Sequence, residues 1–203
     1  MSVPSAVEIA DGLAERGWVV GHDLLPVDAL EALAAEARRL FEEGRFGPAA
    51  VGRGRGRGFR PDVRGDQVFW LDPRTTSEAE TRYWEAVEGL RLDLNRLLYL
   101  GLAELEAHLA VFPAGAFYAK HLDRFATSEE RTLSLTLYLN PGWKKQDGGE
   151  LRLHVEGGPV DVLPEMGTFA LFRSEAVWHE VLAARAPRFS ATGWYRRRPR
   201  VPA

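Results

Sequence analysis

The sequence contains no cysteine. That excludes disulfide staples, thiolate metal sites and a cysteine nucleophile, and it fits a cytoplasmic setting. Long apolar runs are missing as well. No segment approaches the roughly 20 residues a helix needs to cross a bilayer, so no membrane is expected as a partner. The stretch from Ser2 to Arg16 carries acidic residues and no unbroken apolar block, unlike a secretory leader. Charge of one sign is also absent: the formal net charge is −3, which gives no general attraction to nucleic acid. Two basic stretches stand out locally. Arg53, Arg55, Arg57, Arg60 and Arg64 lie in the glycine-rich segment 51–65, and Arg196, Arg197, Arg198 and Arg200 crowd the C-terminal end. Neither is interleaved with aromatics as single-strand binding requires, so both are read as solvated surface.

What is present suits one domain over residues 1–203. With 45% hydrophobic and 27% charged residues the chain can bury its own core. The first part, about 1–107, reads as helical support with short strands. Ser5 and Glu8 form a capping-box pattern, and Gly17 stops that helix before the strand-like Trp18-Val-Val20. A second helix follows Pro26, with Leu30, Leu33, Ala37, Leu40 and Phe41 at helical spacing and Gly44 at its end. Gln67 to Leu71 reads as a strand. Ser77 and Glu80 open a third helix through Tyr83, Trp84, Val87, Leu90, Leu94 and Leu97. From His108 to about residue 197, seven or so short strands separated by Asn-Pro-Gly, Asp-Gly-Gly, Glu-Gly-Gly-Pro and Pro-Glu-Met-Gly turns predict an α+β fold whose core is a double-sheet jelly roll, braced on one sheet by the helices.

Four residues carry the chemistry: His121, Asp123, His179 and Arg188. Side chains alternate across a strand, so one short strand presents His121 and Asp123 on the same side while Leu122 points away. With His179 supplied from a neighbouring strand, two imidazoles and a carboxylate hold a ferrous ion on one face and leave its other positions open. A His-x-Asp triplet alone is a weak signal; the later His179 and Arg188, nine residues further on, give it weight. Arg188 offers a guanidinium fork for the far carboxylate of 2-oxoglutarate. In Arg131 to Asn140, leucines alternate with Ser134, Thr136, Tyr138 and Asn140, which gives the strand a polar side suited to a ligand cavity, with Tyr138 the natural second donor. On the last strand Arg188 and Trp194 share one wall. His22, His108 and His154 have no spaced partners and are read as surface or hydrogen-bonded structural residues.

With these motifs on the page, the chain resembles a 2-oxoglutarate and iron(II)-dependent dioxygenase of the prolyl 4-hydroxylase family, in particular its bacterial members. The resemblance rests on Phe112-Pro-Ala-Gly-Ala-Phe-Tyr-Ala-Lys-His-Leu-Asp-Arg124, Leu137-Tyr-Leu-Asn140 with Trp143, Gly148-Gly-Glu-Leu-Arg152, Gly167-Thr-Phe-Ala-Leu-Phe172, His179-Glu-Val181 and Arg188 to Tyr195, together with Val63 to Leu71, and spans about residues 18–197. It implies His121, Asp123 and His179 as metal ligands, and cosubstrate contacts from Arg188, Tyr138, Thr136, Leu151 and Trp194. It implies iron(II), 2-oxoglutarate and dioxygen as requirements, with ascorbate a further candidate. Phe112 departs from the pattern: the oxygen-sensing enzymes tend to have a tyrosine there. Arg64 and Asp66 resemble the segment that encloses a peptide, so a proline-containing protein substrate is expected, with a translation factor as the bacterial precedent. Two alternatives remain open at this point. One is a small-molecule hydroxylase, and the other a non-catalytic jelly roll that binds metal or sugar. Oligomeric state is not legible.

Overall fold

The structure is a computed structural model that describes residues 5–49, 58, 60, 62–75, 77–124 and 130–198. Arg53, Arg55, Arg57 and Arg200 of the basic stretches lie outside the described residues.

Local chemistry sets the helices as the punctuation predicts. Helix α1, Ala6–Arg16, begins with a reciprocal capping box in which the Ser5 hydroxyl accepts from the Glu8 amide and the Glu8 carboxylate accepts from the Ser5 amide. It ends at Gly17, which takes the left-handed conformation at φ +79° that a side chain disfavours. Strand β1, Trp18–His22, follows directly. Helix α2, Val27–Glu42, starts after Pro26. After the two-residue strand β2, Gly47–Pro48, and β3, Gln67–Trp70, helix α3 runs Glu78–Leu98 from an N-cap at Ser77.

Eight strands complete the described chain: β4 Leu102–Phe112, β5 Tyr118–His121, β6 Arg131–Tyr138, β7 Leu151–Val155, β8 Gly158–Val162, β9 Thr168–Arg173, β10 Trp178–Val181 and β11 Arg188–Arg197. The first begins six residues before His108, where strand structure was expected to start. They form two antiparallel sheets facing each other, a jelly roll. The large sheet has the order β1-β9-β6-β11-β4-β3-β2 and the small one β5-β10-β7-β8. β1 and β3 thus enter the large sheet from the N-terminal segment.

Two apolar layers sandwich the large sheet. On its outer face Leu133, Leu135, Leu137, Leu109, Leu171 and Phe189 pack against Leu30, Leu33 and Ala37 of α2 and Tyr83, Val87 and Leu94 of α3. Each fully buried leucine there contributes about 1.5–3 kcal/mol. On the inner face Ala110, Phe112, Tyr138 and Phe172 meet Leu151, Leu153 and Val162 of the small sheet. This second layer is incomplete. Its polar members Ser134, Thr136, Ser190 and Arg188 are buried with it, and the last three border a cavity between the sheets.

Candidate active site

β5 and β10 pair antiparallel with His121 directly opposite His179. Asp123 lies two residues beyond, in a bend just past the end of β5 rather than on the strand itself. The bend has a cause: it brings the carboxylate against β6, where the Ser134 hydroxyl donates to Asp123 Oδ2 at 2.7 Å and lies 2.9 Å from Ser174 Oγ. One Asp123 oxygen sits 3.4 Å from His121 Nε2 and the other 3.5 Å from His179 Nε2. Donor atoms of all three residues fall within 4.8 Å of one another.

The imidazoles are oriented from behind. Nδ1–H of His121 donates to the Ala119 carbonyl at 2.7 Å and that of His179 to the Val177 carbonyl at 3.1 Å. Both Nε2 lone pairs are therefore turned inward, the tautomer a metal ligand needs. Burial opposes ionisation of Asp123, but the adjacent His179 and His121 and the Ser134 hydroxyl more than offset it and hold the carboxyl well below its usual range. Burial pushes His179 down, against the pull of Asp123. An ionised carboxylate and a neutral imidazole are the ligating forms. Tyr118 stacks on the His121 ring at 3.6 Å, and the Arg64 guanidinium lies 4.3 Å over Tyr118.

Arg188 stands at the other end of the same cavity, 2% exposed. Its Nη2 donates to the Tyr138 hydroxyl at 3.1 Å, and its guanidinium lies over the rings of Phe112 at 5.1 Å and Tyr138 at 4.8 Å. Among the described residues Nε has no hydrogen-bond partner and no carboxylate pairs with the group. Burial raises the Tyr138 phenol above its ordinary value despite Arg188, so it keeps a proton to donate. Gly149 makes room for the arginine: a Cβ there would come 3.3 Å from Arg188 Cδ and 2.7 Å from the Ala184 Cβ.

Thr136, Leu151 and Trp194 line this cavity, and Arg64 and Asp66 line it too. Arg64 corrects the expectation of a solvated basic loop. Its guanidinium is largely buried and clamps Asp66 through two bonds of 2.6 and 2.5 Å, because an aspartate with no exposed side-chain surface needs a partner. Arg60 and Arg196 behave otherwise: Arg60 pairs with Asp62 in solvent, and Arg196 pairs with Glu104, Glu106 and Glu130 at the sheet end. Of the three remaining histidines, His22 meets Thr168 and His154 meets Glu180, both structural contacts. His108 is a correction. It is 3% exposed, lines the cavity and has no partner at Nδ1 among the described residues. Ser134 was missed as an Asp123 partner, since nothing in a strand of alternating leucines and hydroxyls marks which hydroxyl meets a carboxylate.

The donor set fits one divalent ion, with two imidazoles and a carboxylate on one side and the cavity open on the other. The unpaired Arg188 fits a carboxylate that arrives with a ligand.

A jelly roll so equipped defines a class, and similarity places the chain in it. Residues 107–196 match the profile of the 2OG-Fe(II) oxygenase superfamily. A prolyl-4-hydroxylase from Pseudomonas putida has a solved structure that superposes with a TM-score of 0.88 at 43% identity, covering 96% of this chain and 100% of that one. A Trichoplax adhaerens prolyl hydroxylase, solved with a peptide fragment of the hypoxia inducible factor oxygen degradation domain, gives a TM-score of 0.86 at 26% identity over 94% and 88% of the two chains. The hypoxia-inducible factor prolyl hydroxylase of Caenorhabditis elegans is 28% identical over 94% of this chain, which spans only 28% of that protein's length. The chain belongs to the 2OG-Fe(II) oxygenase superfamily, whose members require iron(II), 2-oxoglutarate and dioxygen, and the three relatives just named are prolyl hydroxylases.

Proposed function

We propose that this protein is an iron(II)- and 2-oxoglutarate-dependent dioxygenase that hydroxylates a prolyl residue of a protein substrate and releases succinate and carbon dioxide. The observation that carries the proposal is the buried Arg188, without a carboxylate partner among the described residues, facing the cavity that also holds the His121, Asp123 and His179 cluster. A buried lone guanidinium is costly to maintain unless a ligand completes it.

In this reading His121, Asp123 and His179 hold the metal, and Arg188 with the protonated Tyr138 holds the far carboxylate of 2-oxoglutarate. Bound iron(II) supplies the coupling of cosubstrate decarboxylation to insertion of an oxygen atom into a C–H bond. The chain itself positions and protects. Ser134 and the carbonyls of Ala119 and Val177 fix the ligand atoms before metal arrives. Leu151, Thr136 and Trp194 form the walls along which the cosubstrate lies. Arg64 and Asp66, locked to each other, act as a rigid wall on the side where substrate enters, and Arg64 steadies Tyr118 over His121.

A prolyl substrate is supported by the 43% identity to the Pseudomonas putida enzyme and by the Trichoplax adhaerens relative solved with a peptide. A translation factor, the precedent among the bacterial members the sequence resembles, is one target to test. Ascorbate as an accessory reductant and a cytoplasmic location belong to the same reading and rest on the sequence; among the described residues no helix is long and apolar enough to cross a membrane. The test is mass spectrometry of host proteins from cells with the enzyme, without it, and with His179→Ala. Gain of one oxygen atom at a specific proline, only with the active form, is expected. Proline left unmodified while a small metabolite is oxidised would transfer the same chemistry to another substrate class.

A further inference from the structure

Among the polar groups of the cavity, His108 has no part in the arrangement described so far. It lies on β4 directly opposite Thr192 of β11 and Trp70 of β3, and Thr192 is in turn opposite Thr136 of β6. These four residues form one row across the inner face of the large sheet. The adjoining row contains Ser134 and Trp194, and Ser134 is the residue that holds Asp123. The row on the other side contains Tyr138 and Ser190, where Arg188 is received. Rows stand two residues, or about 7 Å, apart. His108 therefore sits between the metal cluster and the Arg188 end, next to the metal-side row.

The hydroxyls of this wall satisfy one another: Thr192 Oγ1 lies 3.4 Å from Thr136 Oγ1 and 3.3 Å from Ser190 Oγ. Two other groups do not. His108 Nδ1 and Trp194 Nε1 are both buried without a hydrogen-bond partner among the described residues, and their rings are 5.3 Å apart. Packing alone is the plain alternative, since His108 is held between Trp70 at 5.0 Å and Trp194. A leucine or phenylalanine would fill that space without leaving a polar atom stranded, and a buried unpaired polar atom is destabilising. Two stranded groups side by side on a ligand cavity fit a ligand that pairs with both. Burial pushes the imidazole down to about 4, so at neutral pH it carries one N–H and one lone pair.

We propose that His108, with the indole N–H of Trp194, forms a second polar subsite that hydrogen-bonds the metal-side carboxylate of 2-oxoglutarate, opposite the end held by Arg188. This inference rests on the oxygenase reading and adds a residue to it. The imidazole N–H and the indole N–H are both donors, as a carboxylate requires. No proton changes hands.

The experiment is anaerobic calorimetric titration of the manganese(II)-loaded protein with 2-oxoglutarate and with oxalate, which copies the metal-chelating end and lacks the far carboxylate. Parent, His108→Leu, His108→Asn and Arg188→Met are compared. His108→Leu should weaken both ligands roughly tenfold or more, the effect of one hydrogen bond to a charged group. His108→Asn, which keeps a polar atom near the position of Nδ1, should recover most of that loss, and Arg188→Met should weaken 2-oxoglutarate only. Unchanged affinity of His108→Leu for both ligands would overturn the proposal, as would a loss confined to 2-oxoglutarate, which would put His108 at the wrong end. If His108→Leu does not fold, equal affinities of His108→Asn and His108→Phe would overturn it in the same way. Failure of the parent to bind 2-oxoglutarate at all would instead remove the oxygenase reading on which the subsite depends.

Discussion

Arg188 on β11 reaches past Ser190, which is the residue directly opposite Tyr138, and donates across the strands to the Tyr138 hydroxyl at 3.1 Å. One guanidinium nitrogen is thereby used to aim the group. Its remaining donors are left for a carboxylate, and the phenol keeps its own proton to offer the same ligand.

Arg188→Met should therefore lower 2-oxoglutarate affinity by about 100-fold, because a two-pronged charged contact is worth several kcal/mol. Metal binding should persist. The ligand-free variant should melt at the same temperature as the parent or higher, since an apolar chain replaces a buried charge that has no ion-pair partner among the described residues. Calorimetry and thermal melts read both effects, and unaltered affinity would remove Arg188 from the cosubstrate site.

Ser134→Ala should weaken metal binding about tenfold, the usual scale for loss of a group that orients a ligand. The Asp123 carboxylate loses its 2.7 Å hydroxyl contact and one of the forces keeping it ionised. Competition against a metal-binding dye gives the constant. A metal affinity equal to the parent's would show that Ser134 does not orient the ligand.

Gly149→Ala should destabilise the fold by about 1–3 kcal/mol, because φ +76° disfavours a side chain and the new methyl would meet Ala184 at 2.7 Å. It should also weaken 2-oxoglutarate binding by crowding Arg188. Urea denaturation and ligand titration separate the two.

His108 gives a pH signature. The unfolded chain protonates this residue near 6.5, but the folded protein does so only near 4, because the site is buried. Between those values the unfolded state binds more protons, so the folded state loses stability as pH falls through that window. The loss attributable to His108 reaches roughly 3 kcal/mol by pH 4 and is absent above about 6.5. Urea denaturation at pH 7 and pH 4 should therefore show His108→Leu losing less stability than the parent over that interval. Parallel losses would mean that His108 titrates normally in the fold.

Much of this was readable from residue order because each signal was local. Ser5 with Glu8, Gly17 and Pro26 fix helix ends through contacts within a few residues, and the alternation of leucines with hydroxyls from Leu133 to Asn140 fixes which face of β6 meets the helices. That His121, Asp123, His179 and Arg188 belong together was legible from their residue types and from the resemblance, although Asp123 lies in a bend past β5 and not at the strand position that alternation assigned it. What was hidden depends on which strands lie side by side. His108 looked like a lone histidine because Trp70, Thr192 and Trp194, which surround it, come from β3 and β11. Composition placed Arg64 in a basic loop and the resemblance placed it with Asp66 near substrate; only the fold shows the two locked together with Tyr118 beside them.

The central claim is that three side chains hold one metal ion and that Arg188 holds the dicarboxylate reaching that ion. The direct measurement is metal content together with 2-oxoglutarate binding in the parent, His179→Ala and Arg188→Met proteins. The account predicts one iron(II) per chain in the parent and in Arg188→Met, little in His179→Ala, and tight 2-oxoglutarate binding only in the metal-loaded parent. Stoichiometric iron in His179→Ala, or equally tight 2-oxoglutarate binding by metal-free protein, would contradict it.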